Sequence, residues 1–252
     1  MIDRPLILVT NDDGITSRGI RLLVEVAKEF GDVVVVAPNK PQSGMGHAIT
    51  IGETLRLDKV DMFSGVESYE CSGTPADCVK MGKNYLFKDK TIDLVLSGVN
   101  HGNNTSISVI YSGTMSAAIE AAIEHIPAIG FSLCDYDPQA ELEHCIPWMK
   151  KVIEQVFEKD VPDGVALNVN FPKVSAQEIQ GIKYCRQAKA GWQEIFEERT
   201  DPTGRRYFWM AGDFVNHDKG EDTDEWAIRH NYVSVVPCQY DMTSYKTLDG
   251  WG

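Results

Sequence analysis

Asn11, Asp12 and Asp13, closed by Gly14, stand directly behind the apolar run Leu6-Ile7-Leu8-Val9. Adjacent carboxylates repel one another unless a proton, solvent or a cation relieves them, so a pair at the end of a buried strand suits a hard divalent ion. All four residues are also turn formers, and a surface Asn-Asp-Asp-Gly turn accounts for them equally well. On this stretch both readings stand. Further oxygen-rich segments recur along the chain: Gln42-Ser43-Gly44, then Ser97-Gly98-Val99-Asn100 followed by His101 and Asn104, then Tyr111-Ser112-Gly113-Thr114 ahead of an alanine-rich stretch. Small residues at a helix start let backbone N–H groups approach an anion that the helix dipole favours. An ordinary Ser/Thr cap is the alternative there.

The elements that must position these groups follow from apolar spacing. Residues 6–9 read as a strand buried on both faces, and Ile20, Leu23, Val24, Ala27 and Phe30 repeat at helical spacing, so 17–30 is predicted to be an amphipathic helix ended by Gly31. The run Val33 to Val36 is a second buried strand, and strand, helix, strand in this length implies a right-handed parallel crossover. Short β pieces are predicted at 49–51, 54–57 and 68–71, and Thr74-Pro75-Ala76-Asp77 reads as a capped helix start in which Asp77 is structural. Strands follow at 93–96, 127–134 and 165–171, with helices at 115–124 and 139–158. Polar loops thus fall at the carboxyl ends of three strands, where open α/β sheets bind ligands.

Beyond Gly181 the character changes. Two aromatic-rich strands flank the turn Asp201-Pro202-Thr203-Gly204, and a lone hairpin cannot bury so many rings, so a second subunit is its expected partner surface. A short helix at 223–230, a strand at 232–236 and a polar tail at 238–252 complete the chain. The expected organisation is an α/β core at 1–180 with a Rossmann-like, mostly parallel sheet flanked by helices. An arm at 181–252, containing the hairpin, last helix, last strand and tail, is assigned to oligomerisation.

Composition narrows the function classes. A net charge of −13 over 252 residues opposes binding to nucleic acid polymers or anionic membranes. No long apolar run and no leader-like N-terminus is seen, which points to the cytoplasm. Six scattered cysteines, Cys71, Cys78, Cys134, Cys145, Cys185 and Cys238, contain no Cys-x-x-Cys pair and read as reduced thiols. No Gly-x-Gly-x-x-Gly enters a helix and no Gly-x-Ser-x-Gly elbow is present, which disfavours dehydrogenases and serine hydrolases. Adjacent rather than alternate aspartates disfavour an aspartyl-phosphate mechanism.

Five motifs in order resemble one family: Leu8 to Gly14, Ala37-Pro38 with Gln42-Ser43-Gly44, Gly73 to Val79, Ser97 to Asn100 with Gly102 and Asn104, and Tyr111 to Thr114. Together they resemble the SurE family of metal-dependent survival-protein phosphatases that act as 5′/3′-nucleotidases. The resemblance implies one divalent cation per subunit, Mg²⁺ or Mn²⁺, held by Asp12, Asp13, Ser43 and Asn100. These are all hard oxygen donors. What a phosphate ester needs then makes Asp12 and Asp13 the catalytic pair, either one able to orient or deprotonate the attacking water, with Asp12 favoured as the base and Asp13 as mainly a ligand; Asn104, Ser112, Gly113 and Thr114 would hold phosphate oxygens, and Asn11 is a further candidate substrate contact. For Asn11 a turn role competes, and His101, His217 and His230 are candidate proton donors. The substrate is expected to be a nucleoside 5′- or 3′-monophosphate, with short polyphosphate as a further substrate. A metal-dependent nucleotide sensor that does not turn over is the competing reading. The family also implies a homodimer with exchanged C-terminal segments, or a tetramer of such dimers. Ser108, Ala121 and Asn231 depart from the family pattern, which has an acidic residue, Gly and Gly there.

Overall fold

The structure is a computed structural model and describes residues 4–159 and 161–251. Met1 to Asp3 and Gly252, the outer ends of the expected core and tail, and Asp160 within that core lie outside the described residues. The chain opens with β1 (Leu6–Thr10), α1 (Arg18–Ala27) and β2 (Asp32–Pro38), the parallel crossover that the apolar spacing predicts. Ser17 caps α1 by accepting from the Ile20 N–H, and Ile20, Leu23, Val24 and Ala27 are buried against the sheet. The helix ends at Ala27, three residues short of the expected Phe30.

β3 (Leu57–Val60) pairs antiparallel with β4 (Glu67–Cys71), and β4 lies parallel to β2. Residues 49–51 form no strand. Ile49 and Ile51 are exposed, and this segment is held instead by α2 (Pro75–Met81): Thr74 Oγ1 donates to the Ala48 carbonyl at 2.7 Å, and the Thr50 N–H and hydroxyl donate to Asp77. Thr74 and Asp77 form the capping box expected of them, with Pro75 in the first helical turn.

β5 (Leu94–His101) runs further than the expected 93–96, because a bulge between Ser97 and Asn100 lets the polar residues continue along β6 (Ala128–Leu133). Between β5 and β6 lie the short helix α3 (Ser108–Tyr111) and α4 (Gly113–Ile123). α5 (Ile146–Glu158) starts seven residues later than predicted, after a 3-10 turn at Glu143–Cys145. Pro147 sets that start, since proline is tolerated in the first turn and not in the interior. β7 (Val165–Phe171) is followed by β8 (Gly181–Tyr184), the hairpin β9 (Ala190–Thr200) and β10 (Arg206–Asn216), α6 (Asp224–Arg229), β11 (Tyr232–Gln239) and α7 (Tyr245–Trp251). The tail therefore contributes part of a strand and a helix that its polar composition concealed. Asn231, standing where the family has Gly, takes φ 62° just before β11. Asn is the side chain best able to replace Gly in the left-handed region.

Among the described residues the sheet has nine strands in the order β3-β4-β2-β1-β5-β6-β7-β11-β8, parallel except for β3 against β4 and β11 against β7. It is the predicted α/β fold, with apolar cores on both faces and the arm hairpin β9–β10 outside the sheet. β8 and β11 belong to residues 181–252 yet complete this sheet, so it continues across the expected boundary at residue 180. The connections from β1 run outward to β2 on one side while β5 lies on the other. This is the switch point at which an open α/β sheet leaves a crevice.

Candidate active site

The ends of β1 and β5 form that crevice, and Asp12 lies in it. The residue is 4 % exposed, and its Oδ1 accepts from Thr114 Oγ1 at 2.6 Å. Gly113 allows this approach, since a Cβ there would lie 2.6 Å from Asp12 Cβ and 2.9 Å from Oδ2. Burial, followed by the neighbouring Asp13 charge, pushes the Asp12 carboxyl up to about 6, against the hydrogen bonds from Thr114. Burial also raises Asp13, opposed by the backbone of His101.

The Gln42 N–H donates to the Asp12 carbonyl at 2.8 Å, which ties the loop that carries Ser43 to the backbone of Asp12. That loop is tied down further along by the Gly46 N–H on the Tyr111 carbonyl and by His47, whose Nε2 lies 2.8 Å from Glu120 Oε2. Glu120, buried on α4, also takes Lys80 Nζ at 2.5 Å, and its two partners hold its carboxyl below the usual range. Asn100 is delivered by the β5 bulge, where Gly98 at φ 125° packs so closely that a Cβ would sit 2.3 Å from the Phe131 carbonyl oxygen. Asn100 Nδ2 donates to the Gly102 carbonyl at 2.8 Å, which leaves Oδ1 as the atom with lone pairs to offer.

Buried polar atoms without a partner concentrate here. Among the described residues these are Thr10 Oγ1, Asn11 Oδ1, Asp13 Oδ2, Ser97 Oγ and both ring nitrogens of His101, with Ser234 Oγ the one elsewhere. Orphaned polar atoms beside one buried and one half-buried carboxylate are the environment that a cation relieves. Among the described residues no three His, Cys, Asp or Glu side chains are grouped so that they could hold a metal ion together. A cation at this pair would therefore take its other ligands from neutral oxygens such as Ser43 Oγ and Asn100 Oδ1, or from water. The donor set fits Mg²⁺ or Mn²⁺.

Some of the expected substrate contacts are engaged elsewhere. Asn11 Nδ2 donates to the Gly14 carbonyl at 3.0 Å and Ser17 Oγ at 2.8 Å, so its amide closes the turn. Asn104 Nδ2 donates to Ser132 Oγ at 2.7 Å, while Asn104 N–H and C=O bind the Asn170 and Asn168 side chains. Ser112 Oγ caps α4 by accepting from the Met115 N–H at 3.0 Å, and Thr114 is occupied with Asp12. Gly113, first residue of α4, has a backbone N–H with no acceptor inside the helix. His230 bonds the Trp226 carbonyl and stacks on its ring; His217 makes no hydrogen bond among those described; His101 borders the crevice, with burial and Arg18 lowering its pKa. Beyond Ser112 opens a cleft of about 700 Å³ lined by His47, Ile110, Ile119, Pro237 and Tyr240. The supports Ser132, Asn168, Asn170 and Glu120 carry no local motif, and only the topology brings them to the site.

A family model described as "Survival protein SurE" matches residues 7–194. The chain belongs to the SurE family. It is 62% identical over 247 residues to a protein of Cytophaga hutchinsonii named 5'-nucleotidase SurE, covering 98% of this chain and 95% of that one. A Flavobacterium psychrophilum protein of the same name is 58% identical, covering 99% and 98%. The SurE crystal structure from Aquifex aeolicus superposes with a TM-score of 0.85 at 39% identity, covering 98% of each chain. The mostly parallel sheet and its hairpin are thus the SurE architecture.

Proposed function

We propose that this SurE-family chain is a divalent-metal-dependent phosphomonoesterase that hydrolyses nucleoside 5′- and 3′-monophosphates, with short polyphosphate as a further substrate. The observation that carries the reading is the adjacent Asp12/Asp13 pair at the sheet's switch point, Asp12 buried and Asp13 partly so, beside the open N-terminus of α4. The name 5'-nucleotidase borne by relatives of 62% and 58% identity supports it.

Asp12, Asp13, Ser43 and Asn100 would hold one Mg²⁺ or Mn²⁺, which when bound neutralises phosphate charge and acidifies an attacking water. The rest falls to the chain's own groups. Thr114 holds Asp12 Oδ1, so Oδ2, which faces Gly113, is the atom that takes the proton from that water. The Gly113 N–H and the Ser112 hydroxyl hydrogen donate to phosphate oxygens, with the dipole of α4 adding positive potential in an acidic protein. Asn11 and Asn104 act from behind, fixing the turn and the loop. His101 is the nearest candidate to protonate the leaving oxygen. The cleft beyond Ser112 is large enough for a nucleoside.

The chain is further proposed to work in the cytoplasm as a homodimer that exchanges its arms, or as a pair of such dimers. Free cysteines and the exposed aromatic hairpin support this. No helix among the described residues is long and apolar enough to cross a membrane.

Phosphate release from AMP, GMP, their 3′ isomers and tripolyphosphate, measured with Mn²⁺ or Mg²⁺, tests the reading. Release is expected with 5′- and 3′-monophosphates, is abolished by EDTA, and falls at least about a thousandfold in Asp12→Asn. Binding of AMP without release by the wild type would leave a sensor in its place.

A further inference from the structure

Two buried carboxylates in the C-terminal segment take no part in the reaction described above. Asp224 is fully buried and Glu225 is 7 % exposed, both in the first turn of α6. Burial raises both carboxyls above their ordinary values, so both are costly to keep there. Each is aimed at the same short segment. Asp224 Oδ2 accepts from the Ser106 N–H at 2.7 Å, while Oδ1 accepts from the Ala188 N–H at 2.9 Å and the Glu225 N–H at 2.8 Å. Glu225 Oε1 accepts from Thr105 Oγ1 at 2.5 Å, and Oε2 lies 4.0 Å from Arg229.

Ser106 is held in an uncommon conformation, φ 52°, and its hydroxyl donates to the Ala188 carbonyl at 2.8 Å. Thr105 and Ser106 lie midway between Asn100, an expected cation ligand, and Ser112-Gly113-Thr114 at the start of α4. On the other side the connection is gripped at Asn104 by Ser132, Asn168 and Asn170. Asn104 is thus fixed to the sheet and Thr105 and Ser106 to α6, and between them they set where α3 and α4 begin.

We infer that Asp224 and Glu225 are positioning residues of the active site, clamping the 104–106 connection so that the start of α4 meets the phosphate in register with Asn100. This rests on the proposed function in one respect, that the α4 start receives the phosphate. A residue from the C-terminal segment would then be needed for activity, although no atom of it touches substrate.

The pair Thr105 and Glu225 gives the cleaner test, because Gln can still accept from the threonine hydroxyl through its own Oε1 while Ala cannot. Glu225→Ala, Glu225→Gln and Thr105→Val are compared with the full-length wild type in steady-state AMP hydrolysis, in Mn²⁺ titration and in amide hydrogen exchange of residues 103–113. Glu225→Ala and Thr105→Val are expected to raise KM for AMP about tenfold and speed exchange across 103–113 about tenfold. The Mn²⁺ dissociation constant should stay within twofold. Glu225→Gln should restore both quantities to within about threefold of wild type. Unchanged KM and exchange in Glu225→Ala, or equal impairment in Glu225→Gln, would overturn the clamp. Loss of the fold in Glu225→Ala leaves the decision to Thr105→Val, which removes the same hydrogen bond with no change of charge. A wild type that releases no phosphate from any nucleoside monophosphate sinks the proposed reaction, and the exchange comparison then decides the clamp alone.

Discussion

At the scale of the residue, the site is governed by the cost of keeping charge out of water. Asp12 is buried beside Asp13, and Thr114 offsets only part of that cost. In the metal-free protein its carboxyl titrates at about 6 when folded, against about 4 in the unfolded chain. The folded value is the higher one, so between these limits the unfolded chain releases its proton first. Stability falls as pH rises from about 4 to about 6, by about 3 kcal/mol from this group, and then levels off. Asp13, shifted the same way, adds to the slope. Urea unfolding in EDTA at a series of pH values is expected to show this decline, and Asp12→Asn should flatten most of it. A slope unchanged in that variant would mean that Asp12 is not the titrating group. Added Mn²⁺ should reverse the trend, since the ionised pair is the form that binds a cation.

At the scale of the element, side chains on one helix often hold a loop that no strand supports. Thr74 is the clearest case: its hydroxyl accepts from the Asp77 N–H at 3.2 Å and donates to the Ala48 carbonyl at 2.7 Å. It therefore caps α2 and anchors the segment that leads back to His47 and Ser43. Thr74→Ala is expected to cost about 1–2 kcal/mol in urea unfolding, a loss typical of a removed N-cap. The same variant should raise proteolytic nicking between residues 43 and 52, and a nicking rate equal to wild type would show that the anchor lies elsewhere. Glu120 plays a parallel part from α4, binding His47 and Lys80 with a carboxylate that is itself buried. A buried carboxylate with two hydrogen-bonding partners, one of them the Lys80 ammonium, is costly to break from either side.

At the scale of the whole molecule, the hairpin β9–β10 pairs only with itself, and Phe196, Phe208, Trp209 and Met210 are each more than half exposed. A two-stranded ribbon is marginal in water on its own, and an apolar patch of this kind marks an interaction surface. On the proposed arm exchange, sedimentation at micromolar concentration should give a dimer or larger for the wild type. The double variant Phe208→Glu, Trp209→Glu should give a monomer with an intact far-UV spectrum. A wild-type monomer under those conditions would remove the arm from the oligomer account.

Much of the fold was legible in the chain itself. Runs such as Leu6 to Val9 and Val33 to Val36 are apolar on both faces because the strands are covered by helices on both sides, and a strand of that kind announces itself by composition. The cap residues Thr74 and Ser112 were readable because a cap satisfies neighbours only three residues away. The motif order was enough to point to the family. Tertiary structure alone decided that Thr114 holds Asp12, that Asn104 donates to Ser132, that the last strand enters the sheet between β7 and β8, and that Asp224 and Glu225 reach the 105–106 segment. The physical reason is range: apolar period and capping act over a few residues, whereas these contacts join positions up to 120 residues apart, and their partners are chosen by topology.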